Sequence, residues 1–225
     1  MNRYAMTYLD NRPASDSRFA STRLRWNSRA LLRWAAPLTL GLALTACQQQ
    51  GSSAEEPPPL EGAAIGGPFT LVDKDGKTVT WEQFQGRWRI VYFGYTFCPD
   101  ACPMDVQAMM RGFRRFADSN ADRAAKVQPI FISIDPARDT PEVVGQWTAA
   151  FGPRLLGLTG TAEQVKQAAG AFAAYYQKGA ETSGGYLMDH SRVAYLMDPQ
   201  GKPIAMLPVD KGPEAVAAEL DKWVK

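Results

Sequence analysis

The sequence predicts an α/β fold in which a central mixed sheet is flanked by helices. Three observations support this. Two apolar runs rich in β-branched and aromatic residues, 90–95 and 127–134, lie on either side of a segment with helical spacing. Turn-marked strand pairs lie near both ends of the folded region. Helix-opening caps recur at Thr140 and Thr161.

The first strand pair is Phe69-Thr70-Leu71-Val72 and Thr78-Val79-Thr80-Trp81, with Asp75-Gly76 supplying the turn. Run 90–95 lacks polar alternation, as expected of a strand covered on both faces. Apolar residues at 106, 109, 110, 113 and 116 predict a helix, and 127–134 a second buried strand. Together they make a β-α-β unit with a parallel strand pair. Pro103 cannot sit deep in a helix, so the regular helix is expected to begin there, after a tight lead-in turn over 98–102. Thr140-Pro141-Glu142 combines a cap, a proline at the first helical position and an acid in the first turn. A short strand is expected over 155–158. Thr161-Ala162-Glu163-Gln164 is a capping box, opening a helix expected to run to about Tyr176. Residues 193–197 and 203–207 around Asp198-Pro199-Gln200-Gly201 make a second hairpin, and a last helix runs from Pro213 to about Trp223. A parallel unit, an antiparallel hairpin and flanking helices together point to a thioredoxin-like sandwich.

The chain divides into three parts. Residues 1–47 hold seven arginines, no lysine and two acids, and a thirteen-residue apolar stretch ends in Leu44-Thr45-Ala46-Cys47. A basic start, a short apolar core and small residues before a cut site read as an export signal. The apolar stretch is too short to cross a bilayer core, which takes about 20 residues. Its ending resembles the bacterial lipobox, which implies a lipid on Cys47 and a protein anchored to the cell membrane, facing the periplasm or cell exterior. The alternative is ordinary cleavage that leaves Cys47 free. Residues 48–66, polar and rich in glycine and proline, read as a flexible tether. Residues 67–225 are the right length for one domain. The whole chain carries a formal charge of +2, but without residues 1–47 it keeps 18 basic and 21 acidic residues, a net charge near −3. That excludes a basic patch for nucleic acid.

Three cysteines and one histidine are the only residues of their kinds. Cys98 and Cys102 lie four apart, directly after the first buried run, and His190 lies far downstream, where a glycine-rich loop is expected beside the second hairpin. Two thiols and an imidazole are a soft ligand set that favours Cu(I), tolerates Cu(II) and can hold zinc. The same thiols can cycle through a disulfide, or form a purely structural one. At a strand-to-helix junction, backbone N–H groups and the positive helix end favour thiolate over thiol. Asp100 and Asp189 flank the ligands and are candidates to orient the imidazole. Asp135 reads as a strand-end cap. Met104, Met109 and Met110 are expected to pack, leaving Met188 as a weak thioether candidate.

Tyr95-Thr96-Phe97-Cys98-Pro99-Asp100-Ala101-Cys102-Pro103, Ser133-Ile134-Asp135-Pro136-Ala137-Arg138-Asp139-Thr140-Pro141, Asp189-His190-Ser191 and Tyr195-Leu196-Met197-Asp198-Pro199-Gln200-Gly201 resemble the Sco/SenC family of copper-binding proteins. The match runs in order through nearly all of the folded region. It implies a metallochaperone that helps assemble the binuclear copper centre of cytochrome c oxidase. The metal ligands would be Cys98, Cys102 and His190, and the cargo Cu(I) and Cu(II). Its partners would be the copper-bearing oxidase subunit and a periplasmic copper donor protein. The alternative is an extracytoplasmic thiol–disulfide reductase in which Cys98 and Cys102 form the redox pair and act on the oxidase cysteines. The carrier reading is preferred to the enzyme. Three residues separate the cysteines, where thioredoxin-type reductases have two, and no proline occurs between Pro153 and Pro199 to take the cis position beside the redox pair.

Overall fold

Residues 56–182 and 185–225 are described in a computed structural model of the chain. The first hairpin pairs β1 (Thr70–Val72) with β2 (Thr78–Thr80), and Asp73 Oδ1 closes its turn by accepting from the Asp75 and Lys77 N–H groups. Next come β3 (Trp88–Gly94), α1 (Ala101–Ser119), the short α2 (Ala121–Ala125) and β4 (Val127–Ser133). β3 and β4 run parallel, with Tyr92 opposite Phe131, and all seven β3 residues are buried. Then follow α3 (Pro141–Ala149), β5 (Leu156–Leu158) and α4 (Ala162–Ala171). A hairpin of β6 (Tyr176–Thr182) and β7 (Gly185–His190) leads to β8 (Ala194–Met197), β9 (Pro203–Leu207) and α5 (Pro213–Trp223).

The central sheet has the order β5-β4-β3-β8-β9, with β8 and β9 antiparallel to their neighbours. This is the thioredoxin-like mixed sheet that the sequence predicts. Alternation along β3 covers both faces. Tyr92 points to α1, where it meets Asp105, and its ring stacks on Phe131, which in turn meets Trp147 of α3. Phe93 points the other way and meets Phe172, just past α4, which packs on Trp81. Each such side chain, fully buried, contributes about 1.5–3 kcal/mol.

Three expectations need correction. α1 begins at Ala101, two residues before Pro103, so Cys102 lies inside its first turn. Proline is tolerated there because first-turn N–H groups have no partner within the helix. α4 ends at Ala171 rather than near Tyr176. Ala173 adopts φ +50, the Ala174 N–H donates to Ala169 O and the Ala173 N–H to Gly170 O, which together terminate the helix. His190, expected in a glycine-rich loop, ends a strand, β7. Residues 57–66, the end of the stretch read as a tether, lie against the domain. The Leu60 N–H donates to Ile204 O, the Gly66 N–H donates to Ala171 O, and Leu60 and Ile65 pack on the core. Among the described residues, no helix is long and apolar enough to cross a membrane.

Candidate metal centre

The turn carrying Cys98 is pinned from below by a buried carboxylate. Asp139 is fully buried and accepts from the Thr96 N–H at 3.0 Å, the Thr96 hydroxyl at 2.6 Å and the Ser133 hydroxyl at 2.5 Å. Burial pushes its carboxyl above the usual range, and these donors pull it back only in part. Cys98 is half-buried, and its sulfur accepts the Cys102 N–H at 3.3 Å, so the start of α1 supplies the donor foreseen for a thiolate.

Cys102 has no exposed surface, and burial pushes its thiol well above the ordinary value. Gly94 makes room for it: a Cβ there would stand 3.2 Å from the Cys102 sulfur and 2.9 Å from the Tyr92 ring. The end of β7 brings His190 Nε2 to 3.2 Å from the Cys102 sulfur. His190 Nδ1 lies 3.0 Å from Ser191 O, which assigns the proton to Nδ1 and leaves the Nε2 lone pair facing the thiol. Tyr92 and Tyr95 present their rings at right angles to the imidazole, at 6.4 and 5.9 Å. Burial lowers the imidazole pKa below 6.5, so the ring is neutral at neutral pH.

The ligand-capable atoms of Cys98, Cys102 and His190 all lie within 4.8 Å of one another, and both thiols are free. Two sulfurs and a neutral imidazole nitrogen, brought together with no acid among them, fit a soft metal ion rather than a hard one.

The remaining candidates fall differently. Asp100 and Asp189 are exposed, and the proton on the imidazole goes to a backbone carbonyl rather than to either of them. Asp135 is more than a cap. It is 3% exposed, and accepts from the Tyr186 hydroxyl at 2.8 Å and Arg138 Nε at 2.5 Å, tying the end of β4 to β7. Met109, Met110 and Met188 are buried, but Met104, expected to pack, is 62% exposed. With Phe97 and Leu187, also exposed, it gives an apolar side chain close in sequence to each ligand. Cys47 lies outside the described residues. Asp105, Arg192 and Asp139 were not singled out by the sequence, although Asp105 follows Cys102 by three positions on one helix face and Arg192 follows His190 by two.

Comparison with known proteins gives a consistent result. A family model described as SCO1/SenC matches residues 57–225. Protein SenC of Rhodobacter capsulatus is 43% identical over 155 residues, covering 69% of this chain and 68% of that protein. Protein SCO1 homolog 1, mitochondrial, of Arabidopsis thaliana is 42% identical over 146 residues, covering 65% of this chain and 43% of the relative, so the chain spans less than half of that protein's length. The crystal structure of Arabidopsis thaliana ScoI with copper bound superposes with a TM-score of 0.66 at 37% identity, covering 70% of this chain and 96% of that one.

Proposed function

This chain belongs to the SCO1/SenC family, and on that premise we propose that it binds copper as cargo and serves assembly of the binuclear copper centre of cytochrome c oxidase. The observation that carries this reading is the convergence of Cys98, Cys102 and His190. Copper-bound structures of relatives support the choice of ion. Cys98 and Cys102 supply the sulfurs that select Cu(I), and His190 adds the nitrogen that Cu(II) requires. Uptake displaces the proton that burial holds on Cys102, so binding tightens as pH rises. A site of three protein ligands at the edge of the fold, with Cys98 only half-buried, suits an ion that must leave again.

Around this site we place an export signal over 1–47, lipid on Cys47, a tether and the copper domain. The whole protein would be held at the membrane, facing the periplasm or cell exterior, with the oxidase copper subunit as recipient and a periplasmic protein as donor. The reductase reading is kept by one observation. Cys98, more exposed than Cys102 and receiving an N–H from the helix start, has the surroundings of an attacking thiol, with Cys102 beside it to resolve a mixed disulfide.

The test is copper titration of the reduced protein together with oxidase assembly in copper-limited cells. One copper ion per chain is expected, lost in the Cys98→Ser/Cys102→Ser double variant. His190→Ala should lose Cu(II) binding and its thiolate-to-copper absorption, keep most of its Cu(I) affinity and fail to support the oxidase. Normal oxidase assembly by His190→Ala would overturn copper delivery in favour of the reductase.

A further inference from the structure

One ion pair spans the two segments that carry the ligands. Asp105 lies on α1 one turn past Cys102 and is 2% exposed, while Arg192 follows His190 by two residues and its side chain is half-exposed. The guanidinium grips the carboxylate with two bonds, Nε to Oδ2 at 2.9 Å and Nη2 to Oδ1 at 2.6 Å. The Tyr92 hydroxyl donates to the same Oδ2 at 2.9 Å, and the Tyr92 ring stands edge-on to His190. On the opposite side, backbone pairing of His190 with Tyr176 and the Ser191 N–H to Tyr175 O bond fix the strand against β6. Neither of those contacts sets how closely the imidazole approaches α1. Among the described hydrogen bonds, only the Cys102–His190 contact and the Asp105–Arg192 pair join α1 to residues 190–193.

We propose that the Asp105–Arg192 pair is a clamp that positions His190 over the two cysteines and so sets the balance between Cu(II) and Cu(I). This rests on the copper reading above. A two-pronged guanidinium–carboxylate contact fixes direction as well as distance, which a lysine at the same place would not do. Without Arg192, Asp105 keeps the Tyr92 hydroxyl as its one donor among the described hydrogen bonds, and the two-pronged tie between α1 and the segment after His190 is gone. That loosens the 190–193 segment from α1, and the imidazole with it. Cu(I), held by two soft sulfurs, tolerates that change; Cu(II) depends on the nitrogen. Arg192 is therefore a positioning residue that acts through His190.

The experiment uses the full-length protein in detergent and measures Cu(I) affinity, Cu(II) affinity, the thiolate-to-copper absorption band and the copper reduction potential. Arg192→Ala should weaken Cu(II) about tenfold, the low end for a group that supports a metal ligand. Cu(I) should change by less than about threefold. The potential should rise by about 59 mV, the one-electron equivalent of a factor of ten. Asp105→Asn, which keeps a neutral partner for Tyr92 and Arg192, should shift the same way, and Arg192→Lys should recover only part of the loss. In a His190→Ala background, where only Cu(I) is still bound, Arg192→Ala should leave the Cu(I) affinity unchanged. Equal weakening of both copper states, an unmoved band and potential, or a further fall of about tenfold in Cu(I) affinity in the His190→Ala background would overturn the clamp alone. A wild-type protein that takes up no copper would overturn the proposed function and the clamp together.

Discussion

A neutral imidazole is a condition of this site, and burial is what secures it. Desolvation is the largest influence on His190 and lowers its pKa, against the opposing pull of the Ser191 carbonyl and Asp105. Between that lowered value and the ordinary 6.5, the unfolded chain binds a proton that the folded one refuses. Stability of the metal-free protein is therefore full above pH 6.5 and is lost as pH falls through the folded-state value. The slope due to this one group is at most about 1.4 kcal/mol per pH unit. Urea unfolding of the metal-free protein between pH 7 and pH 5 should show this decline, and His190→Ala should flatten it. Identical slopes in the two proteins would mean that the ring titrates normally. The three ligand candidates were legible in the sequence because cysteine and histidine are so scarce here. The carboxylates that hold them were not, since acids and arginines are common. Nothing local says that Asp139 is fully buried or that Asp105 turns inward to meet an arginine 87 residues away.

At the scale of elements, β3, β4 and the capped starts of α3 and α4 were legible because their signals are local: unbroken apolar runs and cap residues at fixed spacing. The β6–β7 hairpin was not. Lys178, Gly179 and Glu181 are poor strand formers, the pairing carries a register shift between Lys178 and Glu181, and tertiary context decides it. The end of α4 was hidden for a sharper reason. The left-handed position that closes the helix is usually glycine, and this chain has Ala173 there at φ +50. Ala173 is exposed, so its methyl group gives little packing in return for the strain. Ala173→Gly should raise stability by about 0.5–1 kcal/mol, the relief of a left-handed alanine less the greater chain entropy of glycine. Chemical denaturation would measure it, and a loss of stability would show that the strain is absent.

For the molecule as a whole, attachment is proposed to run through the segment that precedes the folded unit. Among the described residues no helix is long and apolar enough to span a bilayer, and the proposed anchor is lipid on Cys47, at the end of Leu44-Thr45-Ala46-Cys47. Mass spectrometry of the membrane fraction should find Cys47 as the first residue, carrying lipid, and Cys47→Ser should release the protein from membranes. An unmodified Cys47 inside a longer mature chain would refute this. The spacing of the ligands along the chain has a mechanical consequence as well. His190 lies 88 residues after Cys102, so an ion joining them ties off most of the domain into a closed loop. A disulfide between Cys98 and Cys102 would tie off only a single turn. On chain-entropy grounds the first cross-link restrains the unfolded chain by about 4.5 kcal/mol and the second by about 2 kcal/mol. On the proposed function, cargo would thus also be a staple: a loaded protein would resist unfolding more than an oxidised one, and giving up the ion would return the chain to its softer state.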